Sequence, residues 1–195
     1  MKMRELCNIL GIEDRAPVIY DSKLAQKTII QCQFCTPEEQ KISIDFDPEV
    51  YPSEKGIHVK NISVEEFNEL MRKGHPPDYL FIRRMINENI DYKIDMFDIV
   101  YACFCLYHEE GHWLDFKKSG LTGREFMKLD AVYRKHVYEL AEKIKVETNP
   151  ILINQMAYQH SLLYRNIPME KSADEYAISK LKEIDWKYLE EKLKK

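Results

Sequence analysis

Between Asp95 and Phe116 the chain places Met96, Phe97, Val100, Phe104 and Tyr107 at three- and four-residue steps, and the pattern runs on through His108, His112 and Phe116. That period belongs to a long α-helix with a broad apolar face, which the rest of the fold must cover. His108-Glu109-Glu110-Gly111-His112 lies inside this helix. Histidines at this spacing stand one turn above the other, so both imidazoles can hold one metal ion while Glu109, about 100° round the helix, faces water on the ion's open side. An unligated histidine pair buried beside a carboxylate would be costly, which argues that the motif has a ligand. Gly111 costs about 1 kcal/mol relative to alanine inside a helix, so something approaches the backbone closely there.

A zinc hydrolase commonly uses three protein ligands and keeps one position for water. The metzincin extension needs a glycine and a histidine where this chain has Asp115 and Lys118, which excludes that class. Glu170-Lys171-Ser172-Ala173-Asp174-Glu175-Tyr176-Ala177 supplies a better candidate. Glu170, Ala173, Asp174, Ala177 and Leu181 share one helical face, and the two alanines let that face pack against the motif helix. Glu170 is then placed as the third metal ligand. Asp174, one turn on, is placed to accept a hydrogen bond from the second nitrogen of a ligand imidazole. Asp130, in Asp130-Ala131-Val132-Tyr133, is a rival ligand: it is similar to the Asp-x-x-Tyr element of the aspzincins but lacks their flanking glycines. Tyr133, His136, His160 and Tyr176 are all candidate donors to an oxyanion, and the sequence does not choose among them. Cys32-x-x-Cys35 with Cys103-x-Cys105 suggests a four-thiolate structural site. Residues two apart on a helix point about 200° apart, however, so the second pair is expected to be small buried hydrophobes.

The HEEGH motif followed by E-x-x-A-D-x-Y-A resembles the gluzincin-type metallopeptidases, in particular the ImmA/IrrE family found in phages, mobile elements and bacterial stress regulation. The similarity spans roughly residues 40 to 182 and rests on these two motifs. It implies a zincin-like fold, Zn2+ held by His108, His112 and Glu170, and Glu109 as general base. It also implies a protein or peptide substrate, such as a repressor-type regulator. The interval between the motifs is longer than is usual in that family and holds an extra helix from Thr122 to Lys145.

Elsewhere, Lys41-Ile42-Ser43-Ile44-Asp45-Phe46-Asp47 alternates polar and apolar residues and predicts a strand, a candidate edge for aligning an extended peptide by strand addition. Ile57 to Lys60 predicts a second short strand pairing back on it. Ser63 with Glu66 is a capping box opening a helix from Val64 to Met71. Gly74-His75-Pro76-Pro77-Asp78 predicts a mobile surface loop. Gly120 ends the motif helix and Thr122 caps the next. Helices over Ile151 to Tyr164 and Met169 to Leu181 follow, divided by Asn166-Ile167-Pro168, and Trp186 to Lys195 is an amphipathic tail helix. The expected architecture is α+β and mostly helical: a small N-terminal sheet, the active-site helix and a C-terminal helical bundle. It forms one domain over 1–195, with an N-terminal segment 1–40, a catalytic core 41–182 and a tail 183–195.

Composition narrows the function classes. A net charge of −4 with no basic cluster argues against direct nucleic-acid binding. With 45% hydrophobic and 32% charged residues the chain is globular and not disordered. Met1 to Leu6 is followed by acids and turn residues and not by an apolar run, so no signal peptide is expected. The longest stretch free of Asp, Glu, Lys and Arg, Thr148 to Tyr164, contains Asn154, Gln155, Gln159 and His160 and falls short of the ~20 apolar residues of a membrane span. A cytoplasmic location follows, and the odd count of 5 cysteines fits reduced thiols there. The sequence therefore points to a zinc-dependent endopeptidase. Its alternative is a non-catalytic regulatory or interaction protein that keeps a metal for stability.

Overall fold

The computed structural model describes residues 1–36, 39, 54–74 and 76–193. In chain order its elements are α1 Met3–Leu10, β1 Val18–Tyr20, α2 Lys23–Thr28, β2 Ile30–Gln33, β3 Gly56–Val59, α3 Val64–Gly74, α4 Pro76–Asn89, α5 Phe97–Ser119, α6 Gly123–Val146, α7 Pro150–Arg165, α8 Pro168–Glu183 and α9 Trp186–Leu193. The architecture is α+β, mostly helical with one small sheet.

Helix α5 is the axis around which the rest packs. A turn of 3-10 helix over Ile94–Met96 leads into it, and Gly120, at φ 66°, ends it in the left-handed conformation that glycine adopts at no steric cost. Every residue from Val100 to His108 is buried, so this stretch is enclosed on all sides and not along one stripe alone. Phe67 of α3, Ile86 of α4, Ile57 of β3 and Leu181 of α8 join it in one apolar cluster. Each such buried side chain contributes about 1.5–3 kcal/mol relative to exposure. Asn68 ties α3 to the start of α5, its Nδ2 donating to the Asp98 carbonyl at 2.9 Å. The close approach expected at Gly111 is made by α8: a Cβ there would lie 3.1 Å from Ala173 Cα and 3.2 Å from the Tyr176 ring.

The sheet has the order β1-β3-β2. β1 runs parallel to β3 with Val18 opposite Ile57, and β2 runs antiparallel to β3 with Cys32 also opposite Ile57. Among the described residues β2 has β3 as its one neighbour and presents its other edge to α5. Ile29 turns the chain into β2 at φ 73°, a conformation costing a β-branched residue about 1–3 kcal/mol. It is held there because its N–H donates to the Ala25 carbonyl and its own carbonyl accepts from Lys60 N at 2.8 Å.

Two expectations need correction and one is not reached. The loop expected over 74–78 is not found at its described residues: Gly74 belongs to α3 and 76–78 open α4, since prolines fit the first helical turn, where backbone N–H groups lack intrahelical partners. The strand at Ile57 takes β1 and β2 as its partners, both drawn from the first 40 residues. The expected strand Lys41 to Asp47 lies outside the described residues. The caps fall where expected, with Glu66 N donating to Ser63 Oγ at 3.1 Å and a reciprocal capping box between Thr122 and Glu125. Helices α6 and α7 pack on each other as a hairpin, within which α7 has one buried residue, Ser161. No helix among the described residues is long and apolar enough to cross a membrane.

Candidate metal centre

The packing of α8 against α5 brings three donor atoms to one point. His108 and His112, one turn apart on α5, have their Nε2 atoms 3.1 Å from each other. Glu170, on the first turn of α8, places Oε2 at 3.2 Å from His108 Nε2 and 3.4 Å from His112 Nε2. Four ligands held about 2.0–2.1 Å from a zinc ion at tetrahedral angles stand about 3.3 Å apart, so this triangle has the size of one face of such a site. All three residues are buried, and Glu170 Oε2 makes no hydrogen bond. A buried carboxylate oxygen without a donor is costly, and a shared cation satisfies it. Among the described residues this is the one His, Cys, Asp and Glu group whose donors could share an ion.

The surrounding groups orient the three candidate ligands. Asp174 Oδ1 lies 2.9 Å from His108 Nδ1, short of good hydrogen-bond alignment, and also accepts from Arg165 Nη1 at 2.9 Å. Burial pulls the His108 imidazole down, but the carboxylates of Asp174 and Glu170 outweigh it and hold the metal-free group at about 9. Burial pushes the Glu170 carboxyl up, and the charges of His112 and His108 more than reverse this, leaving it well below the ordinary carboxylate value. Glu170 Oε1 accepts a 2.6 Å hydrogen bond from Arg134 Nη2, and Arg134 Nε donates to Asp130. Asp130, the rival ligand, thus lies outside the donor triangle and meets Glu170 through an arginine.

A cavity of about 700 Å³ opens on this centre, walled by Gln31 and Cys32 of β2, Met127 and Tyr138 of α6, and His160 of α7. Glu109 lines it too, and its Oε2 accepts a 2.7 Å hydrogen bond from the backbone N–H of Cys32. The other half of the motif faces away: Glu110 is fully buried and paired with Arg15. Of the four oxyanion candidates, His160 reaches the cavity, Tyr133 is 56% exposed, the His136 side chain is 80% exposed, and Tyr176 neighbours Glu110.

The five cysteines are free and buried. Burial and the nearby Glu109 charge push the Cys32 thiol well up, and burial with Glu39 raises Cys35, so both favour the neutral thiol over the metal-binding thiolate. The reading of the sequence missed Arg134, Arg165 and the Cys32 amide. The Asp130-x-x-x-Arg134 spacing was a visible signal for an i,i+4 ion pair; Arg165 lies nine residues before Asp174 but across a helix break, and the Cys32 amide lies 77 residues from Glu109, so neither left a periodic signal. No protein-family model, curated protein or solved structure matches this chain.

Proposed function

We propose that the protein is a zinc-dependent peptidase of zincin-like fold, with His108, His112 and Glu170 holding the metal and Glu109 as general base. The observation that carries this reading is the donor triangle itself: two imidazole nitrogens and one unpartnered carboxylate oxygen, all buried, within 3.1–3.4 Å of one another at the foot of an open cavity. The resemblance of the two motifs to the ImmA/IrrE metallopeptidases supports the same assignment.

Zinc bound there supplies Lewis acidity toward a peptide carbonyl and toward water. The chain's own groups do the remainder. Residues 30–33 of β2 line the cavity wall, and the edge of this strand away from β3 is where an extended peptide would add as a further strand. The Cys32 amide fixes the plane of the Glu109 carboxylate, so that the base is oriented before substrate arrives. Glu109 takes the proton of the attacking water and delivers it to the leaving amine nitrogen. His160 stands on the cavity wall as a donor toward the developing oxyanion. The substrate is a protein or peptide, and a repressor-type regulator is the case that the resemblance suggests.

Glu109 also has a structural partner in Cys32 N, which favours a second reading: a metal-stabilised regulatory or interaction protein without catalysis. Glu109→Gln separates the two, because glutamine keeps a carbonyl oxygen for the Cys32 amide and removes the base. Zinc content and thermal stability stay at the wild-type level. Hydrolysis of a denatured-protein or peptide library, followed by mass spectrometry, falls by at least the ~10²–10⁴-fold that a positioned acid–base group supplies. Identical cleavage by wild type and Glu109→Gln contradicts the assignment of the base, and a wild type that cleaves nothing across the library favours the non-catalytic reading.

A further inference from the structure

Arg134 of α6 has only 21% of its side chain exposed, an unusual place for a guanidinium, and it meets the metal centre through Glu170. Its Nη2 donates to Glu170 Oε1 at 2.6 Å, its Nε donates to Asp130, and its guanidinium carbon lies 5.2 Å from the centre of the Tyr164 ring. The two oxygens of Glu170 therefore have separate duties. Oε1 is held by Arg134, while Oε2 faces both imidazoles and has no other partner.

We propose that Arg134 is the positioning residue of this centre: it anchors Oε1 of Glu170 so that Oε2 is the oxygen offered to the metal, and Asp130 and Tyr164 hold the guanidinium for that task. The inference rests on the metal-centre reading above. A glutamate has three side-chain torsions, and with Oε1 unbound its carboxylate could turn or swing away from the histidines. The rigid guanidinium bridges Glu170 Oε1 through Nη2 and Asp130 through Nε, so it is held at both ends, which a flexible ammonium does not reproduce. All three supporting residues come from the α6–α7 hairpin, so the long interval between the two motifs is a working part of the centre.

Charge and geometry predict opposite outcomes here, which makes the proposal decidable. Coulomb repulsion alone says that removing a cation beside a metal site tightens metal binding. Positioning says that it loosens binding, typically by ~10–100-fold for a group that orients a ligand. The experiment strips the purified full-length protein of metal and titrates zinc against a chromophoric chelator. Arg134→Met is expected to bind zinc ~10–100-fold more weakly than wild type, Arg134→Lys to recover part of the loss, and Asp130→Asn to show a smaller loss in the same direction. Visible bands of bound Co2+ respond to the arrangement of donor atoms, so they shift in Arg134→Met and stay unchanged in Lys135→Met, whose side chain is 74% exposed. Zinc affinity in Arg134→Met equal to or tighter than wild type, with helix content intact by circular dichroism, overturns the proposal. If Arg134→Met does not fold, the other two variants decide: weaker binding in both supports the clamp, and wild-type affinity in both overturns it. A wild type that binds no zinc rejects the metal centre itself, a failure distinct from that of the clamp.

Discussion

At the scale of single residues, the proton on His108 would compete with a metal at the proposed site. In the metal-free protein burial lowers its affinity for that proton, and Asp174 and Glu170 outweigh burial to give a value of about 9, against 6.5 for an ordinary histidine. Because the folded value lies above the unfolded one, the protonated group stabilises the fold fully below pH 6.5, and this contribution is lost as pH rises through 9. Zinc needs the neutral imidazole, so its binding strengthens over the same window. Thermal denaturation of zinc-loaded and metal-free protein in parallel is therefore expected to show a Tm difference that widens from pH 6.5 to 9. A difference that stays flat would show that His108 does not exchange its proton for the metal. The candidate ligands were legible in the sequence because their chemistry is local: a histidine pair at helical spacing, and a carboxylate on an alanine-lined face. Arg165 on Asp174 was not, because the turn between their two consecutive helices sets that contact, nor was the Cys32 amide on Glu109, which joins segments whose proximity only the tertiary fold decides.

At the scale of elements, the centre depends on how closely α8 approaches α5. Gly111 permits that approach, a Cβ at this position lying within 3.1–3.3 Å of Ala173 and Tyr176. Gly111→Val adds three carbons to a full space and is expected to cost about 1–3 kcal/mol in urea denaturation, as overpacking does. It should also weaken zinc binding, because widening the helix pair draws Glu170 away from the histidines. Gly74→Ala is the control, with open space around the added carbon and an expected effect within about 0.5 kcal/mol. Equal effects from the two substitutions would contradict the close-approach account. Helices α5 to α8 were legible because their apolar periods, caps and prolines agree with one another. A helix boundary does fall at 74–76, but the loop expected over 76–78 is the first turn of α4, because a Pro-Pro pair reads equally as a loop and as a first helical turn. Strands β1 and β2, of three and four residues, are too short to carry a period, and their identity comes from pairing with β3.

At the scale of the whole molecule, a sheet edge, the motif helix and the α6–α7 hairpin enclose one cavity, and the donor triangle stands at its foot. The mostly helical α+β architecture followed from the sequence, whereas the joining of the first 36 residues to the cavity through β2 did not, because no local pattern announces which edge a strand will present. The central claim is that His108, His112 and Glu170 hold one catalytic zinc, and the buried thiols hold none. Elemental analysis of the purified protein, before and after reconstitution with zinc, tests this most directly. One zinc per chain is expected in wild type and in Cys32→Ser with Cys35→Ser, and most of it is expected to be lost in Glu170→Ala. No zinc in reconstituted wild type, or a full zinc equivalent retained by Glu170→Ala, would contradict the account.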